Sequence, residues 1–289
     1  MTDTIASTAI GTRQGQVALG DGNGVPVVHW DPLRRTGRWG RPSRWSRPVR
    51  NFGDLLGPMI VARLAAGLPR PPEPDRRLVA VGSILHFAAP GDVVWGTGVN
   101  PKGELDAAVL RTLDVRAVRG PRTAQLLRES YGLEVPSVYG DPGLLLPNVF
   151  PELSEAPSRT RRAVTVIPNL NDLAPRSTLP ASWRGHVVNP RSNVTTILRR
   201  IRDSSLVVGS SLHAVIVAES MGIPARAVAT PHEDPFKYED YYLGTGRDPK
   251  GLLASSVEEA LDLGGAPPLN WDSRPLLDAF PRELWTGQR

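Results

Sequence analysis

The sequence contains no cysteine, which excludes a disulfide framework and a thiolate metal site. It has no apolar run of about 18 residues, the length that a membrane-spanning helix needs. Its start, MTDTIASTAIGTRQG, lacks the basic residues and apolar block of a secretory signal peptide. Neither HExxH nor paired-carboxylate spacing occurs, so no metal site is predicted. Together these absences predict a soluble, cytoplasmic protein without a bound metal.

Glycine and proline are frequent, at 28 and 29 of 289 residues, and 40% of the residues are hydrophobic. That composition is typical of an α/β globule with many short connections, and it disfavours a coiled coil or a disordered chain. The length allows one large hydrophobic core or two modest ones. A net charge of +5 favours an anionic substrate or surface but does not require nucleic acid.

Positive charge is concentrated in residues 34–50, where arginines alternate with Trp39 and Trp45. The segment has no helical or strand periodicity, and glycine and proline interrupt it. It is either a solvated loop whose tryptophans pack on the core or a loop that binds a phosphorylated or acidic acceptor. Nucleic-acid binding is a third and less favoured interpretation, so we expect no nucleic-acid partner. A peripheral contact of this segment with the inner face of the cell membrane is left open.

Short apolar runs that end in glycine and precede helical patterns predict βα units of a parallel sheet. In the first half, strands are predicted at 25–30, 78–81, 93–95, 115–118 and 137–139, with helices at about 51–67 and from Pro121. In the second half, strands are predicted at 163–167, 186–189, 206–208 and 225–228, with helices at 194–203, 212–221 and 256–263. Neither a GxGxxG nor a P-loop motif occurs, so dinucleotide and P-loop interpretations lack their motifs.

A polar, proline-containing linker at 150–162 is the predicted domain boundary. We predict a frayed tail at 1–22, an N-terminal α/β domain at 23–150 and a C-terminal α/β domain at 151–289. Apolar positions at helical spacing over 275–285 predict a C-terminal helix that packs back across the domains. Two α/β domains that face each other across a cleft are the simplest architecture.

The segment LVVGSSLHAVIVAESMGIPARAV at 206–228 predicts a strand, a tight turn, a helix and a second strand. Ser210 or Ser211 is expected to cap the helix, which places His213 in its first turn. Free amides and the helix dipole favour an anion there. The turn also follows the carboxyl end of a parallel strand, where open α/β sheets bind ligands. A lone histidine is often a packing residue, but this setting favours a functional imidazole.

Four residues in the first half are candidates for charge recognition. Arg119 and Arg122 flank a strand-to-helix turn that suits a small dianion, although a surface pair beside a turn would look the same. Asp54 either caps the helix that follows it or provides a carboxylate beside the cleft. Asn51 opens the same segment and is grouped with it as a substrate-binding residue.

Three further positions have weaker support. Gly96 lies in a glycine-containing turn where the backbone can approach a ligand. Asp141 precedes Pro142, so an Asx turn is slightly favoured over direct contact with substrate. Lys237 lies in a polar, aromatic segment from which it can reach an anion near His213, although a solvated lysine is the usual case.

Seven segments, in this order and spacing, resemble the polysaccharide pyruvyl transferase family, in particular its bacterial exopolysaccharide branch. They are NFGD (51–54), VGSILH (81–86), VVWGTG (93–98), VRGPRT (118–123), YGDPGLLLP (139–147), SSLHA (210–214) and KYEDYY (237–242). Some members of the family carry an arginine where this chain has Ser210 or Ser211. The resemblance therefore implies that one anion contact comes from elsewhere, for example from Lys237.

The resemblance implies two Rossmann-like domains facing across a cleft, as in GT-B glycosyltransferases, with the acceptor on the N-terminal side and the donor on the C-terminal side. The implied reaction moves the pyruvyl group of phosphoenolpyruvate onto two hydroxyls of a sugar, in a polysaccharide or its lipid-linked precursor, as a cyclic ketal. No cofactor is implied. His213, with an expected pKa near 7, would be the acid and Asp54 the base, while the other candidate residues would bind substrate.

Two other functions remain open at this point. A GT-B-type glycosyltransferase that uses a nucleotide sugar would share the scaffold and many of the turns. A non-catalytic module that binds acidic glycans or nucleic acid would depend on the arginine- and tryptophan-containing segment instead.

Overall fold

The computed structural model describes residues 17–33, 47–71, 75–153, 163–173 and 185–287. These residues form two β-sheets with helices packed around them, which confirms the predicted α/β class. Three predicted features fall largely outside the described residues. They are the tail at 1–16, residues 34–46 of the arginine- and tryptophan-containing segment, and residues 154–162 of the linker.

The first sheet contains, in spatial order, β1 (Val17–Gly22), β2 (Val25–Trp30), β3 (Leu78–Val79), β4 (Val93–Trp95) and β5 (Asp114–Ala117). The pair β1–β2 is antiparallel and the other neighbours are parallel. The strand predicted at 137–139 is reduced to one parallel bridge between Tyr139 and Val118. The parallel strands end at the same edge of the sheet, so the turns that follow them lie close together.

Strand β1 corrects the prediction of a frayed tail up to residue 22. Asn23 and Gly24 both have positive φ, at 59° and 97°, as a two-residue turn between paired strands requires. The amide of Gly24 donates to Asp21 Oδ1 at 2.5 Å. The polar, glycine-rich residues 17–24 therefore form a strand and a tight turn, because pairing with β2 supplies hydrogen-bond partners for the backbone groups of β1.

The second sheet is parallel throughout and contains β6 (Ala163–Val166), β7 (Ser204–Gly209), β8 (Ala225–Val228) and β9 (Leu253–Ala254), in that order. The strand predicted at 186–189 is a single parallel bridge from Val187 to Val166. The segment at Val187 thus pairs with one side of β6, and β7 pairs with the other side. Such a reversal of strand order opens a crevice at the carboxyl ends of the strands.

Helices occupy the connections, and their ends follow known capping preferences. Asn193 and Ser256 cap the helices that follow them, and Gly132 ends one in a left-handed conformation. No described helix is long and apolar enough to cross a membrane. The helices among the described residues are α1 (Leu56–Leu64), α2 (Ala107–Leu110), α3 (Pro121–Tyr131), α4 (Leu146–Val149), α5 (Val194–Arg202), α6 (Leu212–Ser220), α7 (Phe236–Gly244), α8 (Val257–Leu263), α9 (Arg274–Asp278) and α10 (Glu283–Thr286).

The largest hydrophobic cluster contains residues of both sheets. Val27 and Trp95 of the first sheet belong to it together with Val207 of the second and Ile216 of α6. Each sheet also packs a smaller cluster of its own. The two halves therefore share buried apolar contacts, and the GT-B-like division into two domains at residue 150 stays a prediction.

The C-terminal segment packs against the first sheet. Trp95 Nε1 donates to the carbonyl of Leu276 at 2.8 Å, and Trp285 Nε1 donates to the carbonyl of Gly22 at 2.8 Å. Phe280 stacks on Trp285 with ring centroids 5.1 Å apart. The segment forms α9 and α10 where one helix was predicted, because Pro281 cannot donate a helical hydrogen bond.

We expect Trp285→Ala to lower the free energy of unfolding by about 3–5 kcal/mol, the usual cost of removing a buried tryptophan. Trp285 is 2% exposed, and its loss also leaves the Gly22 carbonyl without its donor. Urea unfolding followed by circular dichroism measures the change. Leu263→Ala, at a residue that is 52% exposed on α8, is the control and should change the value by less than about 0.5 kcal/mol. Equal effects of the two substitutions would contradict this packing.

Candidate active site

A cavity of about 310 Å³ lies between the two halves, where strands of both sheets end. That volume is at the lower end of the range for small-ligand sites, about 300–1,000 Å³. We refer to this cavity as the cleft. Six of the residues predicted for the site line it: Asn51, Asp54, Arg119, Ser211, His213 and Lys237.

His213 lies in the first turn of α6, directly after the turn that ends β7. Gly209 makes this turn at a φ of 144°, and any side chain there would collide with the carbonyl of Ile167. The imidazole packs against Gly53 so closely that a Cβ at residue 53 would overlap the ring. No described residue forms a hydrogen bond with the imidazole, so its nitrogens are available to a ligand.

The pKa of His213 differs from the value near 7 that the sequence suggested. Burial lowers it to about 3, and the positive charges of Lys237 and Arg119 lower it as well. The expectation of a near-neutral pKa is therefore wrong for the ligand-free protein. Its imidazole is neutral at physiological pH, and a bound anion that offsets the two cations would raise its pKa.

Asp54 faces the cleft and does not cap α1, whose first turn receives no side-chain hydrogen bond from any described residue. Asn51 Nδ2 donates to Asp54 Oδ2 at 2.7 Å. Burial raises the pKa of Asp54 to about 7, although this hydrogen bond acts in the opposite direction. A Cβ at Gly82 would lie 3.5 Å from Asp54 Oδ1 and 3.9 Å from His213 Cε1. The carboxyl group and the imidazole are therefore neighbours.

Arg119 lines the cleft, and one of its guanidinium nitrogens is unpaired among the described residues. Its Nε donates to Asp240 Oδ2 at 3.1 Å and its Nη1 to Ser83 Oγ at 2.6 Å. The third nitrogen, Nη2, is buried and has no partner in the described part of the chain. A buried guanidinium donor without an acceptor is costly, and an anionic ligand would satisfy it.

Lys237 adds a second cation at the cleft. Its Nζ lies 2.9 Å from Glu233 Oε2 and 5.0 Å from the centre of the Tyr238 ring. Burial lowers the pKa of Lys237, while the charge of Glu233 and its hydrogen bond raise it. The ammonium and the Arg119 guanidinium thus give the cleft a cationic wall.

A family model for polysaccharide pyruvyl transferases matches residues 51–232 of the chain. The chain belongs to the polysaccharide pyruvyl transferase family. It is similar to the succinoglycan biosynthesis protein ExoV of Rhizobium meliloti (strain 1021), with 27% identity over 238 residues, which cover 78% of this chain and 71% of that protein. No solved structure matches the chain. Of the cleft residues that the family motifs predicted, only Lys237 lies beyond the matched range.

Both serines of the family's Ser-x-Leu-His segment behave differently from the expectation. Ser211 occupies the capping position of α6, but its side chain does not bond to the first turn. Ser210 Oγ instead accepts from the amide of Asn169 at 3.1 Å and donates to Asp172. The predicted side-chain cap is therefore wrong, because the Ser210 hydroxyl fixes the neighbouring 169–172 loop.

Four residues that the family resemblance assigned to substrate do not line the cleft: Ser210, whose hydroxyl is described above, and Arg122, Asp141 and Gly96. Arg122 pairs with Glu239 and covers the ring of Phe236 at 4.8 Å. Asp141 is fully buried, and its Oδ1 accepts from the amide of Gly143 at 2.9 Å, which supports the turn interpretation. Gly96 has a φ of 90° and contacts Pro142, so it shapes the backbone.

Several cleft residues of this pyruvyl transferase family member were missed by the sequence reasoning. Trp30, Ser83 and Asn169 line the cleft, and each lies at or just after the end of a parallel strand. That position is the signal that could have found them. His86 also lines the cleft, and its Nδ1 is buried without a partner among the described residues.

We expect Asp54→Asn to stabilise the protein relative to wild type, by about 2 kcal/mol more at pH 8 than at pH 5. The folded protein holds the Asp54 proton up to about pH 7, whereas the ordinary pKa of an aspartate is 3.8. The free energy of unfolding of wild type therefore falls as pH rises between these values. The Asp54→Asn variant lacks this dependence, because its side-chain amide does not titrate.

Urea unfolding at the two pH values measures the difference. Asp262→Asn, at an exposed residue of α8, is the matched control and should show no such dependence. A pH-independent difference between Asp54→Asn and wild type would contradict the raised pKa.

Proposed function

We propose that the protein transfers the pyruvyl group of phosphoenolpyruvate onto two hydroxyls of one sugar and releases phosphate. The observation that carries this proposal is that Arg119 lines a small cleft together with Lys237 and His213 and has a buried Nη2 without a partner among the described residues. Membership of the pyruvyl transferase family supports the reaction type. Phosphoenolpyruvate is a suitable donor because it carries a carboxylate and a phosphate on a small skeleton.

Donor binding would use the cationic wall. Arg119 Nη2 and the Lys237 ammonium would contact the two anionic groups, and the start of α6 contributes backbone amides and the positive end of its dipole. Lys237 would then exchange its contact with Glu233, at 2.9 Å in the ligand-free protein, for a contact with the donor. Phosphoenolpyruvate would thereby replace Glu233 as the partner of Lys237 and accept a hydrogen bond from Arg119 Nη2.

Proton transfer would use Asp54 and His213 together. In the ligand-free cleft the pKa values of about 7 and about 3 place a proton on the carboxyl group before the imidazole. The negative donor would offset the two cations and raise the pKa of His213; the proposal requires this rise to exceed that of Asp54, so that the proton moves to the imidazole. The pair then supplies an acid and a base at the same time, each worth about 10²–10⁴-fold in rate.

The chemistry balances with these two groups. His213 protonates the methylene carbon of the donor, the first sugar hydroxyl attacks the central carbon, and Asp54 accepts the hydroxyl proton. The bond between the central carbon and the phosphate oxygen then breaks as the second hydroxyl attacks. The departing phosphate takes the second hydroxyl proton, so the products are the cyclic ketal and hydrogen phosphate.

The acceptor sugar would bind against the aromatic residues of the cleft. Trp30, His86 and Phe87 line the cleft, and His86 Nδ1 is buried without a partner among the described residues. Such a combination suits a sugar ring, which has apolar C–H faces and hydroxyls at its edge. The similarity to a succinoglycan biosynthesis protein supports an acceptor in exopolysaccharide synthesis, free or lipid-linked.

We expect phosphate release from phosphoenolpyruvate that depends on a galactose, glucose or mannose derivative. His213→Ala should reduce this rate by about 10²–10⁴-fold, because it removes the acid. His186→Ala is the matched control, because His186 bonds to the carbonyl of Val164 away from the cleft. Run in D₂O, the reaction should give a ketal methyl group that carries one deuterium, which NMR detects.

No phosphate release with any acceptor, or an unimpaired His213→Ala enzyme, would refute the proposal. Thermal stabilisation by a nucleotide sugar without any effect of phosphoenolpyruvate would favour glycosyl transfer instead.

We expect Trp30→Ala to raise the KM for the acceptor about tenfold, the equivalent of about 1.4 kcal/mol of lost stacking. The KM for phosphoenolpyruvate should stay within about twofold, because Trp30 carries no charge that would bind the carboxylate or the phosphate. Trp30→Phe keeps an aromatic face and should recover most of the acceptor affinity. Steady-state kinetics with each substrate varied in turn measures both constants, and equal changes in them would rule out an acceptor-specific role.

A further inference from the structure

We propose that Asp240 is a positioning residue that holds the guanidinium of Arg119, with its unpaired Nη2, in place at the cleft. The proposal deepens the proposed function, on which it rests for the identity of the anion. Asp240 belongs to α7 in the second half of the chain, and Arg119 follows β5 in the first half, 121 residues away. One arginine of the donor site would thus be held in place by a carboxylate from the other half.

The Asp240 carboxylate is saturated by protein donors. It accepts from Arg119 Nε at 3.1 Å and from Thr123 Oγ1 at 2.8 Å on Oδ2, and from the Thr123 amide at 2.9 Å on Oδ1. Asp240 is fully buried and does not line the cleft. It therefore acts on a ligand only through the group that it holds.

The pairing leaves Nη2 free for a structural reason. An arginine and a carboxylate commonly form two parallel hydrogen bonds, which would occupy Nε and Nη2 together. Here the Thr123 amide takes Oδ1, and Arg119 Nε shares Oδ2 with the Thr123 hydroxyl. Ser83 takes Nη1. Protein groups thereby fix Nε and Nη1, and Nη2 is left without a partner among the described residues.

Two glycines allow the backbone around Arg119 and the helix α7 to pack in direct contact. A Cβ at Gly120 would overlap the carbonyl group of Asp240, and a Cβ at Gly244 would overlap the carbonyl of Arg119. The start of α3 and the helix α7 therefore touch through backbone atoms. At this spacing the short Asp240 side chain reaches Arg119 in a single geometry, which is the requirement for orienting a substrate-binding group.

The same two helices supply a matched control. Arg122 and Glu239 form an ion pair beside the first one, but their side chains are 39% and 35% exposed and neither lines the cleft. Substituting Glu239 removes a carboxylate partner of an arginine between α3 and α7, as substituting Asp240 does. It leaves Arg119 and its partners in place.

The test compares Asp240→Asn with Glu239→Gln. Binding of phosphoenolpyruvate, and of inorganic phosphate as a simpler anion, is measured by calorimetry, and steady-state kinetics gives KM for donor and acceptor. We expect Asp240→Asn to weaken binding of both anions about 10–100-fold, the range for one charge-assisted hydrogen bond. The acceptor KM should change less than about twofold, and Glu239→Gln should leave all constants within about twofold.

A double mutant separates positioning from a general structural role. In an Arg119→Ala background, Asp240→Asn should weaken anion binding no further, because the group that it positions is absent. Equal losses in both backgrounds, equal changes in donor and acceptor KM, or an equal effect of Glu239→Gln would each overturn the proposal.

A second variant covers the case in which Asp240→Asn does not fold. Thr123→Val removes the hydroxyl donor to Asp240 Oδ2 and keeps the amide donor to Oδ1. Asp240 then holds Arg119 less firmly, and we expect about fivefold weaker anion binding. Unchanged binding by this variant would overturn the proposal. A wild-type protein that binds phosphate but does not convert phosphoenolpyruvate would refute the proposed function alone, and the phosphate titrations would still decide the role of Asp240.

Discussion

The buried ion pair between Arg119 and Asp240 is the contact on which the site depends. Both side chains are almost completely buried, at 1% and 0% exposure, so their desolvation is expensive. Thr123 and Ser83 offset part of this cost by bonding to the pair, which leaves Arg119 Nη2 as its buried donor without a partner among the described residues. Since the partners come from different halves of the chain, the ion pair both joins the halves and orients the guanidinium of Arg119.

The electrostatics of the cleft explain why a multiply charged ligand suits it. Lys237 and Arg119 face one neutral imidazole and one carboxyl group that burial holds partly protonated. Without a ligand this arrangement leaves positive charge and one unpaired donor in a partly desolvated space. An anion offsets both, and it raises the pKa of His213 in the same step. In the proposed reaction, donor binding and activation of the acid would therefore follow from one change in local charge.

The sequence predicted elements whose signals are local. Strands β2, β4 and β8 have their predicted bounds, because apolar runs bounded by turns suffice to mark them. The prediction was wrong for β1, because its polar composition resembles that of a frayed tail, although Asn23-Gly24 is a strong hairpin signal. It could not separate Arg119 from Arg122. Both flank one turn, and only the packing of α3 on α7 directs the first into the cleft and the second toward Glu239.

The glycines of the family motifs show why the remaining features of the site are invisible in the sequence. Gly53 precedes Asp54, and its missing side chain leaves room for the ring of His213, which lies 160 residues further along the chain. Gly82 leaves the space between the same ring and the Asp54 carboxyl group. A glycine in one motif is thus required by a side chain in another. The motifs are short and weak one by one, but they converge on one cleft because each supplies either a reacting group or the space that such a group occupies.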